Sequence, residues 1–142
     1  MLDIFKKEKL NEKKNNNLYV NVGALLIHVA KVDENYSEQE KEIIKKTLLE
    51  LGLKKIDLNY IFKKSEEVEK NSNQILEFTK EVKNKDEDFK IKIVEALWKI
   101  IYADKVTDIY EMSLMRRLTG LIYLDTKIVG NIKDKIKNSF NK

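Results

Sequence analysis

The 142-residue sequence contains no cysteine and no proline, and it has only four glycines and one histidine. Without cysteine, the chain has no disulfide, thiol nucleophile or thiolate metal site. Because proline and glycine punctuate β-rich folds, their scarcity favours long helices. The single histidine, His28, excludes a metal site built on two histidines. We expect it at a partly buried or surface position without a chemical role.

Long apolar runs are absent as well. No 18 apolar residues follow one another, so the sequence predicts no membrane-crossing segment. The N-terminus lacks the apolar core and cleavage site of a signal peptide, which makes the cytoplasm the expected location. The net charge of +4 gathers at the two ends, residues 1–14 and 125–142. This excess is too sparse to follow a phosphate backbone, so we expect no nucleic-acid binding. Peripheral contact with the inner face of an anionic membrane stays open.

What the sequence does contain is typical of a soluble helical protein, with 37% charged and 42% apolar residues. Apolar residues recur at helical spacing, and no segment has convincing strand character. We therefore expect an all-α fold, a single compact bundle of about seven helices over residues 18–142. Residues 1–17 are expected to be flexible or loosely docked, because chain ends are usually held weakly. An amphipathic segment lying on a membrane is the alternative. In the expected bundle, one of Asn15–Asn17 caps the first helix, which begins at Leu18.

Local signals mark where the other helices begin and end. Ser37 and Glu40 have the spacing of a capping box, which begins a helix. Gly52 is placed to terminate that same helix. The fifth helix, residues 89–103, is apolar around most of its circumference, which predicts a central position. Further predicted helix starts are Asp57 or Leu58, Asp86 or Asp88, and Asp125 or Thr126.

The two halves of the sequence share one pattern at an offset of 71 residues. Asp33 then falls on Asp104, and Glu40 falls on Glu111. Each half reads as an apolar helix, an aspartate, a short loop, a capping residue and a glutamate. This pattern predicts an internal helix-turn-helix duplication. The same offset pairs Leu26 with Leu97, Ser37 with Asp108, Ile43 with Leu114, and Lys45–Lys46 with Arg116–Arg117.

The paired acidic residues are the candidate metal ligands. Glu40 and Glu111 occupy the third position of their helices, where capping alone would explain them. Asp33 and Asp104 instead follow the end of a helix, where the macrodipole disfavours negative charge unless another group compensates. That group is either a loop amide, a lysine or a hard divalent cation such as Ca²⁺ or Mg²⁺.

Neither turn is an EF-hand, and no catalytic constellation accompanies them. The glycine position of the first turn holds Glu38, and the twelfth positions hold Ile44 and Met115. Nucleophilic triads, glycine-rich phosphate loops and zinc-ligand spacings are absent, so we expect no enzyme. A metal-dependent hydrolase that uses the acidic cluster is the rival hypothesis. A purely structural module that docks proteins or a membrane is the third.

Several other residues have simpler interpretations. Trp98, Met112 and Met115 are expected in the core. Arg116–Arg117 is expected to be a helix surface pair that makes local salt bridges. The run Ser65–Glu69 is expected to form a solvated face.

Both halves carry a set of motifs that recurs in a known family. The motifs are Ala96–Trp98, Tyr102–Asp104, Tyr110–Glu111, Leu114 and Arg116–Leu118, with Ala24–Leu26, Val29–Ala30, Asp33, Glu40 and Ile43–Ile44 in the first half. They resemble the TerB-like, tellurite-resistance-B family, over about residues 18–138. The resemblance implies an all-helical bundle with two similar halves, acidic turns that hold a divalent cation, and a role in tellurite and other stress resistance. No catalytic reaction is established for that family in general.

Carried over by motif position, the resemblance implies one acidic site and a non-enzymatic binding or scaffold role with protein partners. The sequence specifies no individual partner and no oligomeric state. Glu34 and Lys105 stand where the family commonly has glycine after the aspartate, which makes a left-handed turn less easy. Lys105 also offers a salt bridge in place of a metal. The implied site residues are Asp33, Glu40, Asp104 and Glu111, with Asp108 adjacent.

Overall fold

The computed structural model describes residues 2–32, 36–72, 75–103 and 109–140, with the side chains of 2–5, 7–15 and 109–111 left out. Within these ranges the chain forms seven α-helices, two short 3₁₀ helices and no strand, which confirms the predicted all-α fold. The α-helices are α1 (Leu2–Ala30), α2 (Glu38–Glu50), α3 (Leu58–Asn71), α4 (Ile75–Thr79), α5 (Glu87–Ala103), α6 (Ile109–Leu121) and α7 (Thr126–Phe140). The 3₁₀ helices are Lys55–Asp57 and Val82–Asn84.

The first helix is longer than the sequence predicted. It runs unbroken from Leu2 to Ala30, so the prediction that one of Asn15–Asn17 caps a helix beginning at Leu18 is wrong. Asparagine lowers helix stability by about 0.7 kcal/mol at most, a cost that helix propagation from the packed half absorbs. The expected loose docking of residues 1–17 rests largely on side chains outside the described set and stays a prediction.

The core lies between two central helices, α1 and α5. As predicted, α5 is buried around most of its surface, with Ile93, Val94 and Leu97 fully inaccessible to solvent. Residues 22–27 of α1 are all buried as well, which gives this helix the same central role. The two helices contact each other, and each packs against three neighbours: α2, α3 and α4 for α1, and α2, α6 and α7 for α5.

A glycine sets the spacing between α1 and α3. A Cβ atom added at Gly23 would collide with the Oγ of Ser65 and lie 2.8 Å from its Cβ. Ser65 is fully buried, and its hydroxyl donates to the carbonyl oxygens of Val20 (3.0 Å) and Ile61 (2.8 Å). The hydroxyl therefore bonds to the backbones of both helices, and only glycine at position 23 leaves room for it.

Most of the predicted helix boundaries are confirmed. Ser37 and Glu40 form a complete capping box at the start of α2. Asp86 caps α5 by accepting from the amide of Phe89 at 2.9 Å, and Asp125 accepts from the amide of Lys127 at 2.8 Å at the start of α7. These signals could be read from the sequence because each involves residues two or three positions apart.

The ends of α2 and α6 repeat one hydrogen-bond pattern at the offset of 71 residues. The two helices also have equivalent bounds, since residues 38–50 shifted by 71 become residues 109–121. Both ends have the Schellman pattern, in which two amides beyond the helix satisfy carbonyls of its last turn. After α2, Leu51 N donates to Thr47 O, Gly52 N to Leu49 O, and Leu53 N to Leu48 O. After α6, Ile122 N donates to Leu118 O, Tyr123 N to Gly120 O, and Leu124 N to Thr119 O. The pattern agrees with the predicted repeat, while the duplication itself stays a prediction.

Candidate functional site

Glu40 is the one predicted site residue whose side chain lies in the described part of the chain. It is fully buried at the start of α2. Its Oε1 accepts hydrogen bonds from the amide of Ser37 at 3.0 Å and from the hydroxyl of Ser37 at 2.9 Å. The Ser37 hydroxyl accepts in turn from the Glu40 amide at 3.2 Å. The predicted capping role is therefore confirmed, and it occupies one of the two carboxylate oxygens.

Helix α3 brings two further carboxylates to the α1–α2 end of the bundle. Glu69 is only 9% exposed, and its Oε2 lies 2.8 Å from the Nζ of Lys31, one residue beyond the end of α1. Its Oε1 lies 3.4 Å from Nδ1 of His28, one turn earlier on α1. Glu66, one turn before Glu69, accepts a hydrogen bond from the hydroxyl of Tyr36 at 3.3 Å. Glu69 thus joins α3 to α1 through two partners.

These contacts correct one expectation. The run Ser65–Glu69 is not a solvated face, because Ser65 and Glu69 point into the bundle while Glu67 remains exposed. His28 is partly buried, as expected, and its Nδ1 faces the Glu69 carboxylate. The inward position of Glu69 is supported by its pairing with the Lys31 ammonium group, which offsets part of the desolvation of the carboxylate.

The pKa of Tyr36 is raised by its surroundings. Burial raises the pKa of its phenol, and the charge and hydrogen bond of Glu66 raise it further, followed by the charges of Glu40 and Glu69. Each carboxylate acts in this direction because negative charge disfavours the phenolate. The Nζ atoms of Lys41 and Lys31 lie 4.9 Å and 5.7 Å from the centre of the Tyr36 ring. We call Tyr36, Glu40, Glu66 and Glu69 the acidic cluster.

The acidic cluster does not by itself form a metal site. In the ranges that the structure describes, no three His, Asp or Glu side chains are grouped closely enough to hold an ion. A hard cation prefers at least six oxygen ligands, whereas Glu40 already accepts from Ser37 and Glu69 is paired with Lys31. The described donors alone therefore leave the ligand shell of a hard cation incomplete. Asp33, Asp104 and Asp108 lie outside the described residues, and Glu111 is described only in its backbone.

Sequence analysis missed Tyr36, Glu66 and Glu69 as members of one cluster. No local spacing in the sequence links them, because Tyr36 is 30 residues from Glu66 along the chain. What the sequence could not supply was the pairing of α1 with α3, which is a tertiary choice.

The second half of the bundle contains the predicted core residues. Trp98 and Met115 are 2% exposed and Met112 is partly buried, which confirms their assignment to the core. Arg116 and Arg117 are exposed on α6, as predicted for a surface pair. Neither arginine makes a salt bridge to a described carboxylate, so that part of the prediction is wrong for the described residues.

In the described part of the chain, no helix combines the length and the apolar character needed to cross a membrane.

Comparisons with known proteins place the chain in a family. The family model described as "Tellurite resistance protein TerB" matches residues 19–134. No curated protein and no solved structure matches the chain. The family match covers α2 to α6 completely and includes the whole acidic cluster.

Proposed function

Because the chain belongs to the TerB family, which is associated with tellurite resistance, we propose that it is a non-enzymatic binding or scaffold protein of stress resistance. We further propose that a divalent cation at the acidic inter-helix turns modulates this role. In this proposal, protein partners bind the outer surface of the bundle, and the cation alters the end at which α1, α2 and α3 meet.

The observation that supports the cation is the grouping of three carboxylates, Glu40, Glu66 and Glu69, near Tyr36 at the α1–α2 end. The pKa of Tyr36 is raised first by burial and then by these carboxylates, which lie on two different helices. Asp33 is three residues before Tyr36, a distance of chain that spans at most about 11 Å. A cation in this region would be attracted by Asp33 as well as by the three glutamates.

The donor set would come from both halves of the chain. Asp33 and Asp104 would supply carboxylate oxygens, with Glu40 and Glu111 from the helix starts and Asp108 as a further oxygen donor. These oxygens suit Ca²⁺ or Mg²⁺, and the chemistry that such an ion supplies is charge neutralisation. The Lys31 and Lys41 amines neutralise part of the same charge without it.

Titration with Ca²⁺, Mg²⁺, Mn²⁺ and Zn²⁺ tests the cation directly. An ion that binds only the folded chain raises the free energy of unfolding, by about 2.7 kcal/mol when its concentration is 100 times the dissociation constant. The melting temperature rises accordingly. We expect such a rise in the wild type and its loss in Asp33→Asn and Asp104→Asn. Glu38→Gln is the matched control, because Glu38 lies on α2 two residues before Glu40 and its side chain is 84% exposed.

The outcomes separate the proposed roles. If none of the four ions moves the melting temperature of the wild type, the cation proposal fails and a metal-free docking module takes its place. If Glu38→Gln abolishes the response as fully as Asp33→Asn, the response reflects general surface charge, and the assigned ligands are wrong. A metal-dependent hydrolytic activity that disappears in Asp104→Asn would replace the non-enzymatic reading.

A further inference from the structure

A cavity of about 270 Å³ lies between α5, α6 and α7, well separated along the chain from the acidic cluster. Its wall combines Trp98 of α5, Met112 and Met115 of α6, and Val129 of α7, all of them apolar. Arg116 and Lys133 complete the wall with positive charge, and no described lining residue is acidic. An apolar cavity with a few polar groups is the usual form of a small-molecule site.

The two cations have no carboxylate partner among the described residues. Neither Arg116 nor Lys133 lies within 4.0 Å of a described carboxylate oxygen, although 24 acidic residues are present in the sequence. The Nζ of Lys133 is instead 5.5 Å from the centre of the Trp98 ring, where it interacts with the π-face. The positive charge at the cavity is therefore not neutralised by a described carboxylate and can attract a bound anion.

Trp98 contributes a hydrogen-bond donor that has no acceptor among the described residues. The indole is 2% exposed, and its Nε1 is buried without a hydrogen-bond acceptor in the part of the chain that the structure describes. Buried donors normally have an acceptor, because leaving one unpaired costs free energy. An oxygen atom that reaches the edge of the indole would gain a hydrogen bond that the described residues do not supply.

The cavity also has unfilled space on the α7 side. A Cβ atom added at Gly130, which lines the cavity, would meet no atom within 4 Å. Glycine in the middle of a helix destabilises the helix relative to alanine. Its presence here widens the cavity, whereas any larger side chain would extend into the same space.

From these features we propose that the cavity binds a small amphipathic carboxylate, an apolar molecule that carries one anionic head group. The apolar body lies against Trp98, Met112 and Val129, and the carboxylate lies between Arg116 and Lys133. Charge-assisted hydrogen bonds of this kind are about twice as strong as neutral ones, which gives the carboxylate its preference over an alcohol. This inference goes beyond the proposed function and does not depend on the divalent cation.

Trp98 provides the readout, because it is the only tryptophan in the chain. Octanoate is the probe, and 1-octanol, which has the same tail without the charge, is its comparison. We expect a saturable change in tryptophan fluorescence with octanoate and an affinity about tenfold lower for 1-octanol. Equal responses to the two probes, or no saturable response to octanoate, would overturn the proposal.

Two pairs of variants locate the binding. Arg116→Gln should weaken octanoate binding about tenfold, whereas Arg117→Gln, one residue along the same helix and outside the cavity wall, should leave it unchanged. Gly130→Leu should abolish binding by filling the cavity. Gly120→Leu adds the same side chain at an exposed helical glycine outside that wall and should retain binding.

Circular dichroism and melting temperature establish that each variant is folded before its affinity is compared. Binding that survives Gly130→Leu in a folded protein would place octanoate elsewhere and refute the assignment. An Arg117→Gln variant that loses affinity as much as Arg116→Gln would refute the carboxylate position.

Discussion

Gly52 and Tyr123 close the same helix-ending motif 71 residues apart, and both have positive φ angles, of 116° and 58°. Gly52 adopts this conformation without steric cost, whereas a residue with a Cβ pays about 1–2 kcal/mol in the left-handed region. Among the described residues no other has positive φ. The second half of the chain thus keeps the geometry of the first without its glycine.

Replacement of Tyr123 by glycine should stabilise the protein. Tyr123 is 72% exposed, so little packing is lost, and the gain from relieved strain should be about 0.5–1 kcal/mol after the entropy of the unfolded glycine is subtracted. For a domain of this size, the melting temperature should rise by about 2–4 °C per kcal/mol. Gly52→Ala should act in the opposite direction, because its Cβ would also lie 2.9 Å from the Tyr19 hydroxyl. A Tyr123→Gly variant that melts at a lower temperature would contradict this account.

The contact between Gly23 and Ser65 should tolerate no added atom. Gly23→Ala forces α1 and α3 apart and should cost about 1–3 kcal/mol in urea unfolding. The double variant Gly23→Ala/Ser65→Gly removes the obstructing side chain, so its two changes should be less than additive. Gly120→Ala is the control: its Cβ meets nothing within 4 Å, and it should stabilise by about 1 kcal/mol. Strict additivity of the two changes would show that they do not interact.

Two glutamates on one helix should differ sharply in importance. Glu69→Gln removes the charge that pairs with Lys31 in a nearly buried position, and it should lower stability by about 1–3 kcal/mol. Glu67→Gln affects only a 3.8 Å pair with Lys64, in which both side chains are at least half exposed, and should cost under about 0.5 kcal/mol. Urea unfolding at pH 7 compares the two. Equal losses would contradict the inward position of Glu69.

Alkaline pH should weaken the fold through Tyr36. Its pKa in the folded state is raised by burial first and then by Glu66, so the folded chain holds the phenolic proton more tightly than the unfolded chain does. The resulting stability is complete below the unfolded pKa of about 10 and is lost as the pH rises through the folded-state pKa.

Tyr36→Phe removes this ionisation and should make the fall in stability between about pH 10 and 11 less steep. Tyr60→Phe, at a position 67% exposed, is the control and should leave the slope unchanged. Urea unfolding at a series of pH values gives the slopes. If Tyr36→Phe shows the same slope as the wild type, the phenol does not contribute.

The predicted features that the structure confirms are local ones. Ser37 with Glu40, the positive φ of Gly52 and the cap at Asp86 each depend on a few neighbouring residues, so their chemistry is legible in the sequence. The central position of α5 is likewise legible, because a helix apolar on nearly all sides has to be surrounded.

The features that the sequence did not reveal depend on tertiary contacts. The start of α1 was misplaced because the asparagine run has weak helix propensity, which continuation of the helix overrides. The inward turn of Glu69 depends on which face of α3 meets α1, and nothing within α3 decides that. Of the predicted acidic site, Glu40 is located and serves as a cap, while its proposed partnership with Asp33 and Asp104 awaits the cation titration.

The central placement of α1 and α5 has a consequence for how the molecule opens. Amide hydrogens exchange with solvent only when their segment unfolds locally, and segments with few buried contacts open first. Because short helices have few internal hydrogen bonds, the five-residue α4 and the adjoining 3₁₀ turn should exchange early, whereas the amides around residues 22–27 and 93–97 should exchange only with global unfolding. Since the chain has no proline, refolding should also lack the slow isomerisation phase, so the two helices can re-form their contact without that delay.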